Sequence, residues 1–266
     1  MRLGALAIIG VVLAIALAIA IPAMRGQPQV NTDAADRAET QIEAARNEVE
    51  LGPIAPEHQG SLLELRAAGK IAAEVNGSNI EQVSLHVINL TDQPLRVFVP
   101  AGTFFVANDA GMQSMVATSG HYIDLEGRQA GSVTIASACA NLPLDIPDFT
   151  NSFTIAEAPP QAELLRIAPL LGGASTPYSV RQAAVWIITD NADYDDLGAL
   201  VSIATTSAVG SFGSRTRIIG PEEAAHAMQI LDEAGVSIRN RRIWRDRGRI
   251  AENLPEGDLR VWLSNQ

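Results

Sequence analysis

Hydrophobic and polar positions divide the chain into four stretches, and the first of them is apolar throughout. Leu3 to Ala23 contains no charged residue and consists almost entirely of Ala, Ile, Leu and Val. An α-helix rises about 1.5 Å per residue, so roughly 20 apolar residues cross the hydrocarbon core of a bilayer. The pattern therefore predicts a transmembrane anchor or an export signal over residues 1–25, with residues 3–23 in the lipid bilayer.

The residues that flank this segment predict where the rest of the chain lies. Arg2 precedes the segment, and positive charge stays on the cytoplasmic side of a membrane. We expect a single-pass protein of the cell membrane whose C-terminal bulk is extracytoplasmic. The alternative is a secreted protein, because Ala18 and Ala20 match the small-residue pattern at which signal peptides are cleaved.

Residues 26–60 have the composition of a stalk or linker that is partly helical. The stretch from Ala34 to Val49 is rich in Ala, Glu and Arg, which favour helix. Its apolar residues recur at the spacing of a short coiled coil. The pattern fits either a solvated helical spacer or a short oligomerising helix.

Residues 61–159 alternate between apolar and polar positions, with turn signals between the runs. About seven short strands are predicted by this alternation. They cover residues 71–75, 80–90, 95–99, 103–107, 112–118, 121–125 and 132–138. Short strands at this close spacing are typical of an antiparallel, immunoglobulin-like β-sandwich.

After Pro159 the hydrophobic period changes from two to 3.6, which predicts a helical domain over residues 160–266. The helix that ends near Thr189 is apolar on almost every face, so it is expected to be central and buried, together with its Gln182. The predicted fold class is α+β, with an N-terminal transmembrane helix, an antiparallel β-sandwich and a C-terminal α-helical domain.

Composition narrows the classes of function. The net charge of −11 argues against nucleic-acid binding. A single cysteine, Cys139, excludes an internal disulfide. The four histidines lie far apart, without the spacing of metal ligands, and no phosphate-binding loop or hydrolase motif is present. The sequence therefore predicts no metal, no cofactor and no catalytic residue of a turnover enzyme.

A basic run near the C-terminus contrasts with this acidic background. Between residues 239 and 249 there are six arginines and one aspartate, a local charge of +5. The arginines are Arg239, Arg241, Arg242, Arg245, Arg247 and Arg249. Two interpretations remain open: contact with an anionic partner or lipid headgroups, and internal pairing with acidic residues of the same chain.

One motif suggests chemistry. The sequence Gln182-Ala183-Ala184-Val185-Trp186 resembles the Gln-x-Ala-(Ile/Val)-Trp motif of bacterial surface thioester domains, and Cys139 lies 43 residues upstream of Gln182. The resemblance implies an exported protein with β and helical parts, in which the cysteine thiol and the glutamine side chain form an internal thioester. It assigns the thiol to Cys139, the acyl group to Gln182 and a shielding role to Trp186. The alternative is that Cys139 is a small buried residue on a strand, and that Gln182 and Trp186 belong to the helix core.

These observations predict a membrane-anchored, extracytoplasmic binding or interaction protein without enzymatic turnover. It would act with a protein partner, as an accessory or structural subunit of a membrane or envelope complex. The second hypothesis is a thioester-containing adhesin that bonds covalently to its partner. An enzyme with an unrecognised site between the strands and the helices is the third.

Overall fold

The computed structural model describes residues 54–173, 176–199 and 219–265, all of which belong to one compact unit. Its strands are β1 (Gln59–Ser61), β2 (Ile71–Asn79), β3 (Gln82–Asn89), β4 (Leu95–Val99), β5 (Phe104–Ala107), β6 (Ser114–Ala117), β7 (His121–Leu125), β8 (Ala130–Ala140) and β9 (Ser152–Ile155). Its α-helices are α1 (Leu62–Ala67), α2 (Glu163–Leu171), α3 (Tyr178–Thr189), α4 (Tyr194–Ala199), α5 (Pro221–Glu233), α6 (Arg247–Glu252) and α7 (Asp258–Ser264). Short 3-10 turns cover Pro56–His58, Ile238–Asn240 and Arg242–Asp246.

Six strands close into a barrel in the order β2-β3-β8-β6-β5-β9, and every neighbouring pair is antiparallel. The four-residue strand β9 completes the ring, because it pairs with β2 on one side and with β5 on the other. Alternate residues of the strands fill the interior, as Val83, Leu85 and Val87 of β3 show. Closure leaves the barrel strands without a free edge along these pairings.

The remaining strands form a separate three-stranded sheet in the order β1-β4-β7. Strand β1 runs parallel to β4, whereas β7 is antiparallel to it. The inward residues of β4 are buried, and its other face carries the Arg96–Asp124 ion pair, with 2.6 Å between Nη2 and Oδ2. On the same face the rings of Phe98 and Tyr122 stack with their centroids 4.7 Å apart.

The long helices pack on the barrel rather than apart from it. Helix α3 lies against β8 and α5, and α5 in turn contacts α2 and α6. Buried residues of strands and helices form one continuous hydrophobic cluster that includes Ile135 of β8 and Ile187 of α3. The side chains at the α3–β8 contact therefore lie in the interior of the unit.

The loop between β8 and β9 is fixed to the barrel by close approach of main chain. The amide N–H of Gly77 on β2 donates to the Asn151 carbonyl oxygen at 2.8 Å. A β-carbon at residue 77 would collide with the Asp148 carbonyl oxygen, so only glycine permits this approach. The loop exposes Phe149, whose accessible fraction is 78 %.

The predicted immunoglobulin-like β-sandwich is wrong. The expected strands between residues 71 and 138 are present, but they form a closed six-stranded barrel and part of a second sheet instead of an immunoglobulin-like sandwich. The alternation of side chains reports which face of a strand is buried and does not report which strands pair. Strand β9, which closes the ring, was not predicted because only Phe153 and Ile155 mark its inner face.

The transmembrane prediction is corrected as well. Across residues 54–173, 176–199 and 219–265, no helix has both the length and the apolar character that a bilayer crossing requires. Residues 3–23 and the predicted stalk helix lie outside the described residues. A single-pass anchor, and with it a location in the cell membrane, is therefore not shown.

Candidate thioester site

Helix α3 presents three large side chains toward the strands, one on each successive turn. Tyr178, Gln182 and Trp186 are spaced by four residues, which places them on one face of a helix. The helix follows Pro177, whose fixed φ suits a helix start. Gln182 and Trp186 are each only 1 % exposed. This face lies against the C-terminal end of β8, where Cys139 is located.

The structure brings the two predicted thioester residues into direct contact. The main-chain N–H of Cys139 donates to Oε1 of Gln182 at 2.9 Å. Nε2 of Gln182 donates to the carbonyl oxygen of Cys139 at 2.7 Å. The acyl carbon of Gln182 is bonded to both of these side-chain atoms and so lies beside the residue that carries the thiol.

The sheet geometry explains why Gln182 can reach this position. Strand β8 pairs with β3 as far as Ala136 opposite Gln82, and then with β6, where Met115 lies opposite Cys139. Beyond the start of β3, the outward main-chain groups of Cys139 have no strand beside them. The Gln182 amide takes the place of a neighbouring strand and satisfies both groups in the interior.

The Cys139 thiol is enclosed. Its exposed fraction is 0 %, and its Sγ lies 3.4 Å from the Met115 sulfur and 3.7 Å from the Ile80 carbonyl oxygen. Burial raises the pKa of the Cys139 thiol to about 12, because a thiolate would lose its hydration there. At neutral pH the sulfur therefore carries its proton.

Tyr178 links the surroundings of the sulfur to the Gln182 amide. Its hydroxyl oxygen lies 2.8 Å from the Ile80 carbonyl oxygen and 2.6 Å from Oε1 of Gln182. Burial, with Cys139 and Glu81 nearby, raises the pKa of Tyr178, so its hydroxyl stays protonated well into the alkaline range. The Ile80 carbonyl thus lies within reach of both the thiol and the tyrosine.

Trp186 occupies the turn of α3 that follows Gln182. Its indole N–H donates to Oε1 of Gln113 at 3.2 Å, and Nε2 of Gln113 donates to the Leu144 carbonyl oxygen at 3.0 Å. The indole is buried, with an exposed fraction of 1 %. The shielding role that the motif implies for Trp186 stays a prediction, as does its assignment to the helix core.

Arginines between residues 239 and 249 contact carboxylates and aromatic rings of the same chain. Three of them pair with carboxylates of the same chain: Arg241 with Glu163 at 3.0 Å, Arg242 with Asp193 and, at 2.9 Å, Asp196, and Arg249 with Asp195 and Asp246, each at 3.0 Å. Arg239 and Arg247 lie over the Trp244 ring, 5.8 and 4.9 Å from its centroid. Internal pairing therefore accounts for Arg241, Arg242 and Arg249, and for the aspartates that precede and begin α4.

Sequence reasoning found Cys139, Gln182 and Trp186 but missed Tyr178, Met115 and the Ile80 carbonyl. The spacing of Tyr178, four residues before Gln182, was the available signal, since it places the two on one helix face. Nothing along the chain indicates that Ile80 and Met115 approach the thiol. Within the described ranges, no group of His, Cys, Asp and Glu side chains could hold a metal ion.

Comparison with protein-family models, with curated proteins and with solved structures finds no match for this chain.

Proposed function

We propose that this unit is a covalent binding module in which Cys139 and Gln182 condense into an internal thioester. The observation that supports the proposal is the pair of hydrogen bonds between the Gln182 amide and the Cys139 main chain, across 43 residues of sequence. This contact brings the Gln182 carboxamide to the main chain of the residue that carries the thiol, and both residues are buried. The five-residue motif supports the proposal independently.

The condensation balances without a co-reactant. A bond forms between Sγ of Cys139 and the acyl carbon of Gln182, and the bond from that carbon to Nε2 breaks. The thiol proton passes to the nitrogen, which leaves as ammonia. An amine on a partner later attacks the same carbon, and the bond from that carbon to sulfur breaks. An amide forms with residue 182, and a proton of the attacking amine passes to sulfur.

Burial protects a thioester from water and restricts which nucleophiles can reach it. The exposed fractions of 0 % for Cys139 and 1 % for Gln182 keep water from a thioester, which hydrolyses when it is solvated. The same enclosure restricts the site to small nucleophiles, or to a partner that separates α3 from β8. Methylamine is therefore a suitable first probe.

The test is the intact mass of the purified protein. The wild type is expected to be lighter than its sequence by one ammonia. Methylamine is expected to add its full mass to this lighter form when it opens the thioester. The Cys139→Ala variant should have its full mass under both conditions, while the matched control Gln229→Ala, in a half-buried residue on α5, should behave as the wild type does. A wild type of full mass that ignores methylamine would refute the thioester.

A second candidate function is non-covalent binding of a protein partner, as an accessory or structural subunit of an assembly. It is favoured by Phe149, which is 78 % exposed although its loop is firmly held. The Asp148 N–H donates to Oδ1 of Asn151 at 2.7 Å, and Oδ1 of Asp148 accepts from the Thr150 N–H at 2.7 Å. In this case the hydrogen bonds of Gln182 are purely structural, and the mass experiment returns an unmodified chain.

A further inference from the structure

Formation and opening of a thioester pass through the same kind of intermediate. When sulfur attacks the acyl carbon, the carbonyl oxygen becomes a tetrahedral oxyanion, and its negative charge must be stabilised for the step to proceed. The effective devices are hydrogen-bond donors already directed at that oxygen before the reaction. In this site the oxygen is Oε1 of Gln182.

Two donors surround Oε1. The Cys139 main-chain N–H lies 2.9 Å away, and the Tyr178 hydroxyl oxygen lies 2.6 Å away. The range found in oxyanion holes is roughly 2.7–3.1 Å. The first distance falls within it, and the second is slightly shorter. On the other side of the amide, the Cys139 carbonyl accepts from Nε2 at 2.7 Å and holds the leaving nitrogen in place.

The Tyr178 hydroxyl has two possible hydrogen-bond acceptors, and the reaction would favour one of them. Tyr178 carries one hydroxyl proton, whereas the Ile80 carbonyl at 2.8 Å and Oε1 at 2.6 Å can both only accept it. Both are neutral oxygens in the resting amide, so they compete on similar terms. An oxyanion on Oε1 is the much stronger acceptor and would draw the proton toward itself, because charge-assisted hydrogen bonds are about twice as strong as neutral ones.

The environment keeps this donor available. Tyr178 is on a helix face packed against β8, and burial favours its protonated form. Tyr178 is half-buried, but the Gln182 oxygen that it contacts belongs to a side chain only 1 % exposed. Beside such a buried oxygen, a fixed O–H dipole stabilises an anion more strongly than it would in solution. Unlike the main-chain N–H, this group can be removed by substitution.

The geometry points to Tyr178 as a catalytic residue of the site, the side-chain half of an oxyanion hole whose other half is the Cys139 N–H. It stabilises the tetrahedral oxyanion both when ammonia is expelled and when an external amine opens the thioester. This inference rests on the proposed thioester, and it adds the group that makes the acyl carbon reactive.

The experiment compares the wild type with Tyr178→Phe and with Tyr122→Phe as the matched control. Tyr122 is 65 % exposed and lies on the three-stranded sheet, which is separate from the barrel that carries Cys139. Intact mass follows two quantities: the fraction of freshly purified protein that lacks one ammonia, and the rate at which methylamine opens the thioester. We expect Tyr178→Phe to close incompletely and to open about a hundredfold more slowly, as when one oxyanion donor is removed, while Tyr122→Phe matches the wild type.

The direction of the change separates catalysis from packing. A purely structural tyrosine would loosen the contact between α3 and β8 when it is lost, and methylamine would then open the thioester faster. Opening of Tyr178→Phe at or above the wild-type rate overturns the inference while the proposed function stands. A wild type without the ammonia deficit overturns both.

A second variant keeps the test valid if Tyr178→Phe does not fold. Incorporation of 3-fluorotyrosine at position 178 retains the ring and the hydroxyl and makes the hydroxyl a stronger donor. Opening by methylamine is then expected at the wild-type rate or faster. Slower opening in this variant contradicts a role of the hydroxyl in stabilising the oxyanion.

Discussion

The Gln182 side chain substitutes for a missing strand beside Cys139, and this role can be tested independently of any thioester chemistry. We consider Gln182→Met in a Cys139→Ala background, where no thioester can form. Methionine is close to glutamine in length and volume, so the packing against β8 is largely kept. The change removes the two hydrogen bonds to the main chain of residue 139, at 2.9 and 2.7 Å.

The magnitude follows from the two main-chain groups that are left without partners. Residue 139 is 0 % exposed, so neither its N–H nor its C=O can turn to water. An unsatisfied buried donor or acceptor costs about 1–3 kcal/mol, and the pair therefore costs about 2–6 kcal/mol. That loss is a large part of the roughly 5–15 kcal/mol by which a typical domain is stable.

Urea unfolding followed by fluorescence measures the effect. The midpoint should fall with little change in slope, since the surface exposed on unfolding stays nearly the same. The control is Gln229→Met in the same background, because Gln229 lines an open cleft of about 430 Å³ beside α5 and should change stability by less than about 0.5 kcal/mol. A loss below about 1 kcal/mol for Gln182→Met would refute the reasoning, because water or a shifted backbone would then satisfy residue 139.

Three further predictions follow from the same structure. Burial raises the pKa of the free Cys139 thiol to about 12 from an ordinary 9.0, so the folded state holds this proton more tightly than the unfolded chain does. The contribution of this thiol to the free energy of unfolding is complete below about pH 9 and is lost as the pH rises toward 12. Urea titrations across this range should therefore show a smaller alkaline loss of stability in Cys139→Ala than in the wild type. Arg242→Gln breaks two ion pairs and should lower stability by about 0.5–1 kcal/mol, and by less at high salt. Arg245→Gln breaks no ion pair in the described part of the chain and should leave stability unchanged. Equal effects of the two substitutions would contradict the pairing. Gly77→Ala should cost about 1–3 kcal/mol by displacing the loop between β8 and β9, while Gly248→Ala, with open space around its α-carbon, should be neutral or stabilising by thermal melting.

The sequence pattern predicted where the strands lie but not how they pair. Alternation of apolar residues located the strands between Ile71 and Ala138, because each strand must present one face to the core. Pairing is a different matter, since it depends on which edges meet after the chain has turned several times. The barrel is closed by β9, whose four residues carry too little pattern to be recognised. Without that strand the other five barrel strands would form an open sheet.

The candidate site divides in the same way. The motif around Gln182 identified the residue, and the helical period predicted that its side chain is buried. That its amide would lie against Cys139 depends on α3 crossing the end of β8, a long-range contact between segments 43 residues apart. The charge of the arginine run was evident from the chain, but the pairing of Arg241, Arg242 and Arg249 with carboxylates emerged only from the folded arrangement.

By itself, the sequence determined the local structure of this protein: which segments form strands, which form helices, which faces are apolar and which side chains could react. Those properties depend on neighbours within a few residues, so they can be seen in hydrophobic period and in short motifs. Only the tertiary structure decided that the strands close into a barrel, that the Tyr178 hydroxyl lies 2.6 Å from Oε1 of Gln182, and that the Ile80 carbonyl adjoins the thiol. Such contacts join distant segments through packing of the whole core, and no local pattern encodes them.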